Sequence, residues 1–153
     1  MSQRRLKKRT PSASLLGLAV LNGYKLYFDK PGIDGSSKAD CRRSNTDSSF
    51  VMGGLFELDN EERYALDFAE GVGKHYAAKV LEVNWRNTSI KALTYVALTR
   101  KENLLPYTWY IKHIIEGAIE IGLPSEYIQE LRSTRAMLDQ DIERQRLELS
   151  VYN

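Results

Sequence analysis

The chain has 153 residues, 42% hydrophobic and 27% charged, a balance typical of a folded domain and not of a disordered one. Its longest apolar run, Leu15–Leu21, is far shorter than the roughly 20 residues of a membrane-spanning helix. The single cysteine, Cys41, excludes an internal disulfide, and no paired cysteines or clustered histidines form a zinc signature. We therefore expect one soluble domain in the reducing cytoplasm.

The net charge of +2 is unevenly distributed, since residues 1–50 carry a net +6 and residues 51–153 a net −4. The N-terminus holds a basic cluster: Arg4, Arg5, Lys7, Lys8 and Arg9. Followed by an apolar run, this cluster superficially resembles a targeting peptide, but no small-residue cleavage site follows. A nucleic-acid interface would need a recognisable motif or an aromatic platform, which the cluster lacks. We expect a solvated basic face.

The early elements are strands. Ser14–Leu21 and Tyr24–Phe28 are apolar and flank Asn22-Gly23, which tolerates positive φ in a two-residue turn, so this segment predicts a β-hairpin. Residues 29–49 are polar and rich in Gly, Ser and Asp, which predicts a long loop. Phe50–Leu58 predicts a further strand.

Two glycines, Gly53 and Gly54, interrupt that strand and mark a bulge or a close backbone approach. A helix is expected next. Asp59 is a candidate N-cap, and Glu62 three residues later completes a capping box. The helix should end near Glu70, because Gly71 is a typical C-cap glycine.

Tyr76–Asn84 and Ile90–Leu98 alternate apolar and polar residues around a turn at Arg86-Asn87, which predicts a second hairpin. After Pro106 the apolar residues recur at helical spacing until Gly122. Strands early and helices late predict an α+β fold.

A last amphipathic stretch, from about Tyr127 to Leu147, becomes strongly charged from about Asp139. A charged end of this kind is typical of a surface helix or a frayed tail. We therefore place one domain at residues 1–138 and a charged C-terminal helix or tail at residues 139–153.

Glu70 is a candidate for chemistry. A carboxylate at a helix C-terminus meets the negative end of the helix dipole. Its apolar neighbours Leu66, Phe68 and Val72 would add desolvation, and both effects disfavour the charged form. A carboxylate in such surroundings suits proton exchange near neutral pH. Local sequence alone is a weak signal for such a role, because a surface glutamate before a C-cap glycine is commonplace.

Nine tyrosines are many for this length. Each is individually best explained as amphipathic core, and Tyr76, Tyr95 and Tyr110 would form a pocket only if they converge near Glu70. The two histidines are isolated, and no nucleophile signature surrounds Cys41.

Several segments occur in a recognisable order. They are RRLKKRTPSA, LAVLNGYKLYF, KADC, FVMGGLFEL, LDFAEGV followed by Tyr76, ALTYVA, YIKHIIEGAIEIGLP and SEYIQELR. Together they resemble the γ-glutamylcyclotransferase family, including its AIG2-like bacterial members, over about residues 1–132. Each motif is degenerate alone, but the combination of a strand, EGV and a tyrosine with TYVA and GAxxxGLPxEY is fairly specific.

The resemblance implies an α+β fold in which helices surround a small mixed β-barrel. It also implies an enzyme that cyclises a γ-glutamyl group to 5-oxoproline and releases a free amine or amino acid. No metal or cofactor is implied, because the attacking amine is tethered to its target. Its partner is a small-molecule γ-glutamyl substrate, with no nucleic acid or membrane, and the protein is a monomer or homodimer.

Residue roles follow from the same resemblance. The glutamate of EGV, Glu70, is the catalytic residue, and Tyr110, Tyr95 and Tyr76 contact the substrate. Family members begin with a strand and a Tyr-Gly-Ser-Asn loop, which the printed sequence does not contain. Met1 and Ser2 fall just after the position of that loop, so they too are expected at the substrate. The alternative is a catalytically silent member that serves as a small-molecule binding or structural module.

Overall fold

The computed structural model of the protein describes residues 2–46 and 48–152. Its strands are β1 (Ser14–Asn22), β2 (Tyr24–Pro31), β3 (Ser37–Arg43), β4 (Phe50–Glu57), β5 (Tyr76–Trp85) and β6 (Thr88–Ala97). Its α-helices are α1 (Gln3–Lys7), α2 (Arg63–Glu70), α3 (Thr108–Ile121), α4 (Ser125–Arg132) and α5 (Ile142–Leu149). Short 3₁₀ turns, Asn60–Glu62 and Ser150–Tyr152, precede α2 and follow α5.

The strands form two antiparallel sheets. One has four strands in the order β4-β1-β5-β6, and the other pairs β2 with β3. The predicted α+β class is therefore confirmed. The small β-barrel is corrected to two separate sheets, because no ladder joins β3 to β6 among the residues described.

The predicted first hairpin is wrong, although both of its strands exist. β1 pairs with β4 and β5, whereas β2 pairs with β3. Gly23, at φ 73°, forms the corner between them. Its N–H donates to the Ser49 carbonyl and its carbonyl accepts from the Ser44 N–H. The glycine thus turns the chain from one sheet into the other rather than folding it back on itself.

The predicted loop at residues 29–49 contains a strand, β3. This strand escaped the sequence pattern because its buried residues are polar, including Ser37 and Asp40. Asp40 offsets its burial by accepting a hydrogen bond from the Ala97 N–H. Hydrophobic alternation is therefore a poor guide to this strand.

The end of α2 at Gly71 is confirmed, and Gly71 has the left-handed conformation of a C-cap. The capping box is not formed. The Asp59 side chain caps nothing, and Glu62 instead accepts from both the N–H and the hydroxyl of Ser12. The Asp59 N–H donates to the same hydroxyl. A distant serine thus replaces the local cap and ties α2 to the segment before β1.

The second hairpin and the late helices follow the sequence pattern. β5 and β6 pair in unbroken register, with Arg86 and Asn87 both at positive φ in the turn. α3 ends at Gly122, which also has the left-handed conformation. No helix among residues 2–46 and 48–152 is long and apolar enough to cross a membrane.

Buried side chains form three clusters. One joins α1 to α2 through Leu6, Ala13 and Leu66, and Tyr95 of β6 packs against it. The second lies on the four-stranded sheet and the third between that sheet and helices α3 and α4. The first cluster fixes α2, whose last residue is Glu70, against the sheet.

Gly53 and Gly54 provide a test of this packing. A Cβ at Gly54 would lie 2.7 Å from Phe56 and 2.8 Å from Ile121, whereas one at Gly53 would meet nothing within 4 Å. Gly54→Ala should therefore lower the free energy of unfolding by about 1 to 3 kcal/mol through overpacking. Gly53→Ala should leave it unchanged or raise it by up to about 1 kcal/mol. Denaturant unfolding measures both, and equal effects would contradict the close approach at Gly54.

Candidate active site

Glu70 lies at the C-terminal end of α2, and its side chain is 17% exposed. Its Oε1 accepts a hydrogen bond of 2.9 Å from Nη1 of Arg9. The apolar surroundings expected from sequence are only partly present, because Phe68 is 80% exposed and Val72 38% exposed. A guanidinium therefore contacts the carboxylate where apolar shielding was expected.

Two of the expected tyrosines meet at one backbone residue, Ala39 of β3. The Ala39 N–H donates to the Tyr110 hydroxyl at 3.0 Å, and the Tyr76 hydroxyl donates to the Ala39 carbonyl at 3.1 Å. Tyr76 begins β5 and Tyr110 lies in the first turn of α3. The fold thus brings together two tyrosines that are distant in sequence.

Both hydroxyls remain protonated at neutral pH. Burial raises the pKa of Tyr110 to about 12, and the Glu70 carboxylate raises it as well. Burial also raises the pKa of Tyr76, with further contributions from Tyr110 and Glu70. The charge of the Glu70 carboxylate thus acts on the pKa of both hydroxyls. These tyrosines suit hydrogen bonding and positioning rather than proton abstraction.

Tyr95 is engaged elsewhere. Its hydroxyl donates to Oδ1 of Asp67 at 2.5 Å, and burial followed by this hydrogen bond raises its pKa. Asp67 lies one turn before Glu70 in α2, so the bond holds the helix against β6. Glu70 also raises the pKa of Tyr95, which places the ring in the same region. A direct substrate contact from Tyr95 stays a prediction.

Of the two N-terminal residues expected at the substrate, Ser2 and Met1, the structure describes only Ser2. Ser2 is fully buried, and its hydroxyl accepts from the Arg5 N–H at 3.3 Å as the N-cap of α1. It also lies beside the Tyr152 hydroxyl, whose pKa is raised mainly by burial. Met1 lies outside the described residues. A substrate contact from either one stays a prediction.

Three charged residues near this region were missed from sequence: Arg9, Lys30 and Asp40. The sequence pattern places Arg9 on a solvated face and the other two residues in a loop. The Asp40 carboxylate is fully buried and accepts from the Ala97 N–H at 2.8 Å and from Nε of Arg100 at 3.3 Å. The buried Lys30 places Nζ 5.1 Å from the centre of the Tyr76 ring. The segment KADC, which contains Asp40, was the one sequence motif that pointed to β3.

The cysteine and His113 do not form a nucleophilic dyad. Burial, followed by the charge of Asp40, raises the pKa of Cys41 to about 11, so its thiol stays protonated. The His113 ring hydrogen-bonds to Tyr152 at 2.8 Å and to Glu148 at 3.1 Å. His113 therefore belongs to the contact between α3 and the C-terminal segment.

The basic N-terminal cluster is less free than expected. Arg4 lies 3.5 Å from Glu120, Arg5 lies 3.2 Å from Glu148, and Arg9 pairs with Glu70. Lys7 and Lys8 are exposed, with no ion pair to a described carboxylate. The cluster is thus largely used to attach α1 to the rest of the fold.

A model of the AIG2-like family matches residues 50–131. A γ-glutamylcyclotransferase from Bos taurus is 31% identical over 136 residues, which cover 84% of this chain and 71% of the bovine protein. This chain belongs to the γ-glutamylcyclotransferase family. The family resemblance noted in the sequence is therefore confirmed.

Solved structures share the fold. An uncharacterized human protein superposes with a TM-score of 0.82 at 24% identity, over 99% of this chain and 92% of its own. A γ-glutamyl cyclotransferase gives 0.82 at 24% identity, over 97% and 92%. YkqA from Bacillus subtilis gives 0.72 at 22% identity, over 87% of this chain and 49% of YkqA. This chain therefore shares the fold of these structures.

The Ala39 contact predicts a specific effect on the edge of β3. Tyr110→Phe removes the hydroxyl that accepts from the Ala39 N–H, so the free energy of unfolding should fall by about 1 to 3 kcal/mol. The Ala39 amide should also exchange faster with solvent in an NMR hydrogen-exchange measurement. Tyr64→Phe, at an exposed tyrosine on α2, should change stability by less than about 0.5 kcal/mol. Unchanged exchange at Ala39 would refute the contact.

The basic cluster predicts weak, non-specific nucleic-acid binding at most. If only Lys7 and Lys8 reach phosphates, the logarithm of the binding constant should fall against the logarithm of salt with a slope of about −2. A filter-binding titration at several salt concentrations measures this slope, and the Lys7→Gln, Lys8→Gln double variant should abolish binding. Sequence-selective binding that survives physiological salt would contradict this prediction.

Proposed function

We propose that this protein cyclises the γ-glutamyl group of a small molecule to 5-oxoproline and releases an amine or amino acid. The observation that carries the proposal is that the hydroxyls of Tyr76 and Tyr110 meet at the Ala39 backbone, where the charge of the Glu70 carboxylate raises the pKa of both. Membership of the γ-glutamylcyclotransferase family supports the reaction class. Glu70 is the carboxylate to which the sequence resemblance gives the catalytic role.

In this mechanism Glu70 first accepts a proton from the substrate's α-ammonium group. The freed amine attacks the γ-carbonyl carbon, forming the ring C–N bond and a tetrahedral intermediate. When the intermediate collapses, the amide C–N bond breaks and Glu70 returns the proton to the departing nitrogen. The ring nitrogen loses one further proton, which the released amine takes up. Atoms and charge balance without a co-reactant.

Positioning supplies much of the rate, because the nucleophile and the carbonyl belong to one molecule. Arg9 bonds to Oε1 of Glu70, so Oε2 is the oxygen that would meet the ammonium group. Tyr110 and Tyr76 would hold the γ-glutamyl group near this oxygen through their hydroxyls. These roles give the enzyme one proton carrier and two positioning groups.

Glu70→Gln should lower the rate of 5-oxoproline release by about 10²- to 10⁴-fold, because Gln keeps the shape of the side chain but cannot accept the proton. The measurement is a 5-oxoproline assay over a panel of γ-glutamyl amines and amino acids. Glu61→Gln, at an exposed carboxylate just before α2, should leave the rate unchanged. Tyr110→Phe should be milder and act mainly on KM.

Two results would overturn the proposal. A folded protein that releases no 5-oxoproline from any compound of the panel would favour a catalytically silent binding module. Full activity in Glu70→Gln would remove Glu70 from the mechanism while leaving the family assignment intact. Circular dichroism of each variant separates loss of activity from loss of fold.

A further inference from the structure

Lys30 of β2 is a buried cation without a counter-ion among residues 2–46 and 48–152. It is only 5% exposed, and its Nζ forms no ion pair within 4.0 Å of any carboxylate in the described residues. Its neighbour Lys38, by contrast, bonds at 2.6 Å to both Asp34 and the Ser36 hydroxyl. Lysines are rarely buried unless they are paired, because an unpaired buried charge costs free energy.

A β-bulge puts Lys30 in this position. Phe28 pairs with Ala39, and an unbroken ladder would place Asp29 opposite Lys38. The register shifts here by one residue, so Lys30 stands opposite Lys38 instead. Like charges that face each other across a sheet are destabilising. Bulges of this kind commonly re-aim a side chain next to an active site.

The side chain of Lys30 belongs to the same region as Glu70. Its Nζ lies 5.1 Å from the centre of the Tyr76 ring. Burial lowers the pKa of Lys30 and Lys38 lowers it further, whereas the charges of Glu70 and Asp34 raise it. Glu70 pairs with Arg9 and Asp34 pairs with Lys38, so among the residues that the structure describes Lys30 has neither of these carboxylates as an ion-pair partner.

We propose that Lys30 binds the α-carboxylate of the γ-glutamyl group, an assignment that rests on the proposed function of the site. The α-ammonium and α-carboxylate of this group share one carbon atom. A carboxylate at Glu70 and an ammonium at Lys30, which lies 5.1 Å from the centre of the Tyr76 ring, match these two charges. The site would therefore select compounds with a free α-carboxylate and discriminate against the decarboxylated analogues, 4-aminobutyryl amides.

The test combines a change in the protein with a change in the substrate. Lys30→Met should raise KM for a γ-glutamyl amide by about 10- to 100-fold, as expected for loss of a charge-assisted hydrogen bond, with a smaller effect on kcat. The corresponding 4-aminobutyryl amide should lose no further efficiency in this variant. Lys25→Met, at an exposed lysine of the same strand, should behave as the wild type. A purely structural role for Lys30 would affect both substrates equally and would overturn the proposal.

A binding measurement keeps this test separate from the proposed reaction. In calorimetric titrations the wild-type protein should bind 5-oxoproline, which retains the α-carboxylate, more tightly than 2-pyrrolidinone, which lacks it. Lys30→Met should abolish that preference even if no γ-glutamyl compound is turned over, which would sustain the Lys30 site while the proposed reaction fails. Equal preference in the wild type and Lys30→Met, or no binding of either compound to the wild type, would overturn the Lys30 assignment.

Discussion

The arrangement around the candidate site depends on how the free edge of β3 is satisfied. On one side β3 pairs with β2, and on the other its backbone groups face β6 without a ladder. Exposed strand edges invite non-native pairing, and buried backbone groups need hydrogen-bond partners. Tyr76 and Tyr110 supply partners to the Ala39 backbone, while Asp40 binds the Ala97 N–H. Side-chain hydrogen bonds thus connect the two sheets in place of a shared backbone ladder.

These hydrogen bonds at the β3 edge link the fold to the candidate site. The two hydroxyls that bind the Ala39 backbone hold the strand edge and the tyrosines together. The charge of the Glu70 carboxylate raises the pKa of the same two hydroxyls. The Tyr95–Asp67 bond and the Arg9–Glu70 pair fix the end of α2 from two further directions. Glu70 is therefore oriented by a helix, a strand and the N-terminal segment together. Such multiple support suits a group that must meet a proton at one defined position.

Elements with a regular apolar period could be predicted from sequence, including β4, the β5–β6 hairpin and α3. Two features could not. β3 buries polar residues, and the partners of Asp40 and of the Ala39 backbone come from β6, β5 and α3, so no local pattern marks the strand. Gly23 begins a change of sheet, although Asn-Gly in a local pattern predicts a hairpin turn. In both cases contacts with residues distant in sequence decide the structure, and the local sequence pattern does not show them.

For the site, the sequence motif singled out Glu70, whereas the meeting of Tyr76 and Tyr110 at Ala39 depends on the fold. Arg9 and Lys30 carried no sequence signal, because a lysine before a proline and an arginine in a basic run are both ordinary on a surface. Their importance arises from burial and pairing that chain order does not reveal. The contributions of Arg9 and Lys30 to the charge around the Glu70 carboxylate can be recognised only in the folded structure.

Because both tyrosines bind the main chain of Ala39, the interaction is indifferent to most side chains at that position. Amino-acid replacements there can accumulate without disturbing the hydroxyls, as long as the backbone keeps its N–H. Proline is the exception, since it has no N–H to donate to Tyr110. The position would thus be free to drift among relatives while remaining closed to one residue. A site anchored in this way can persist through divergence that erases any recognisable motif around it.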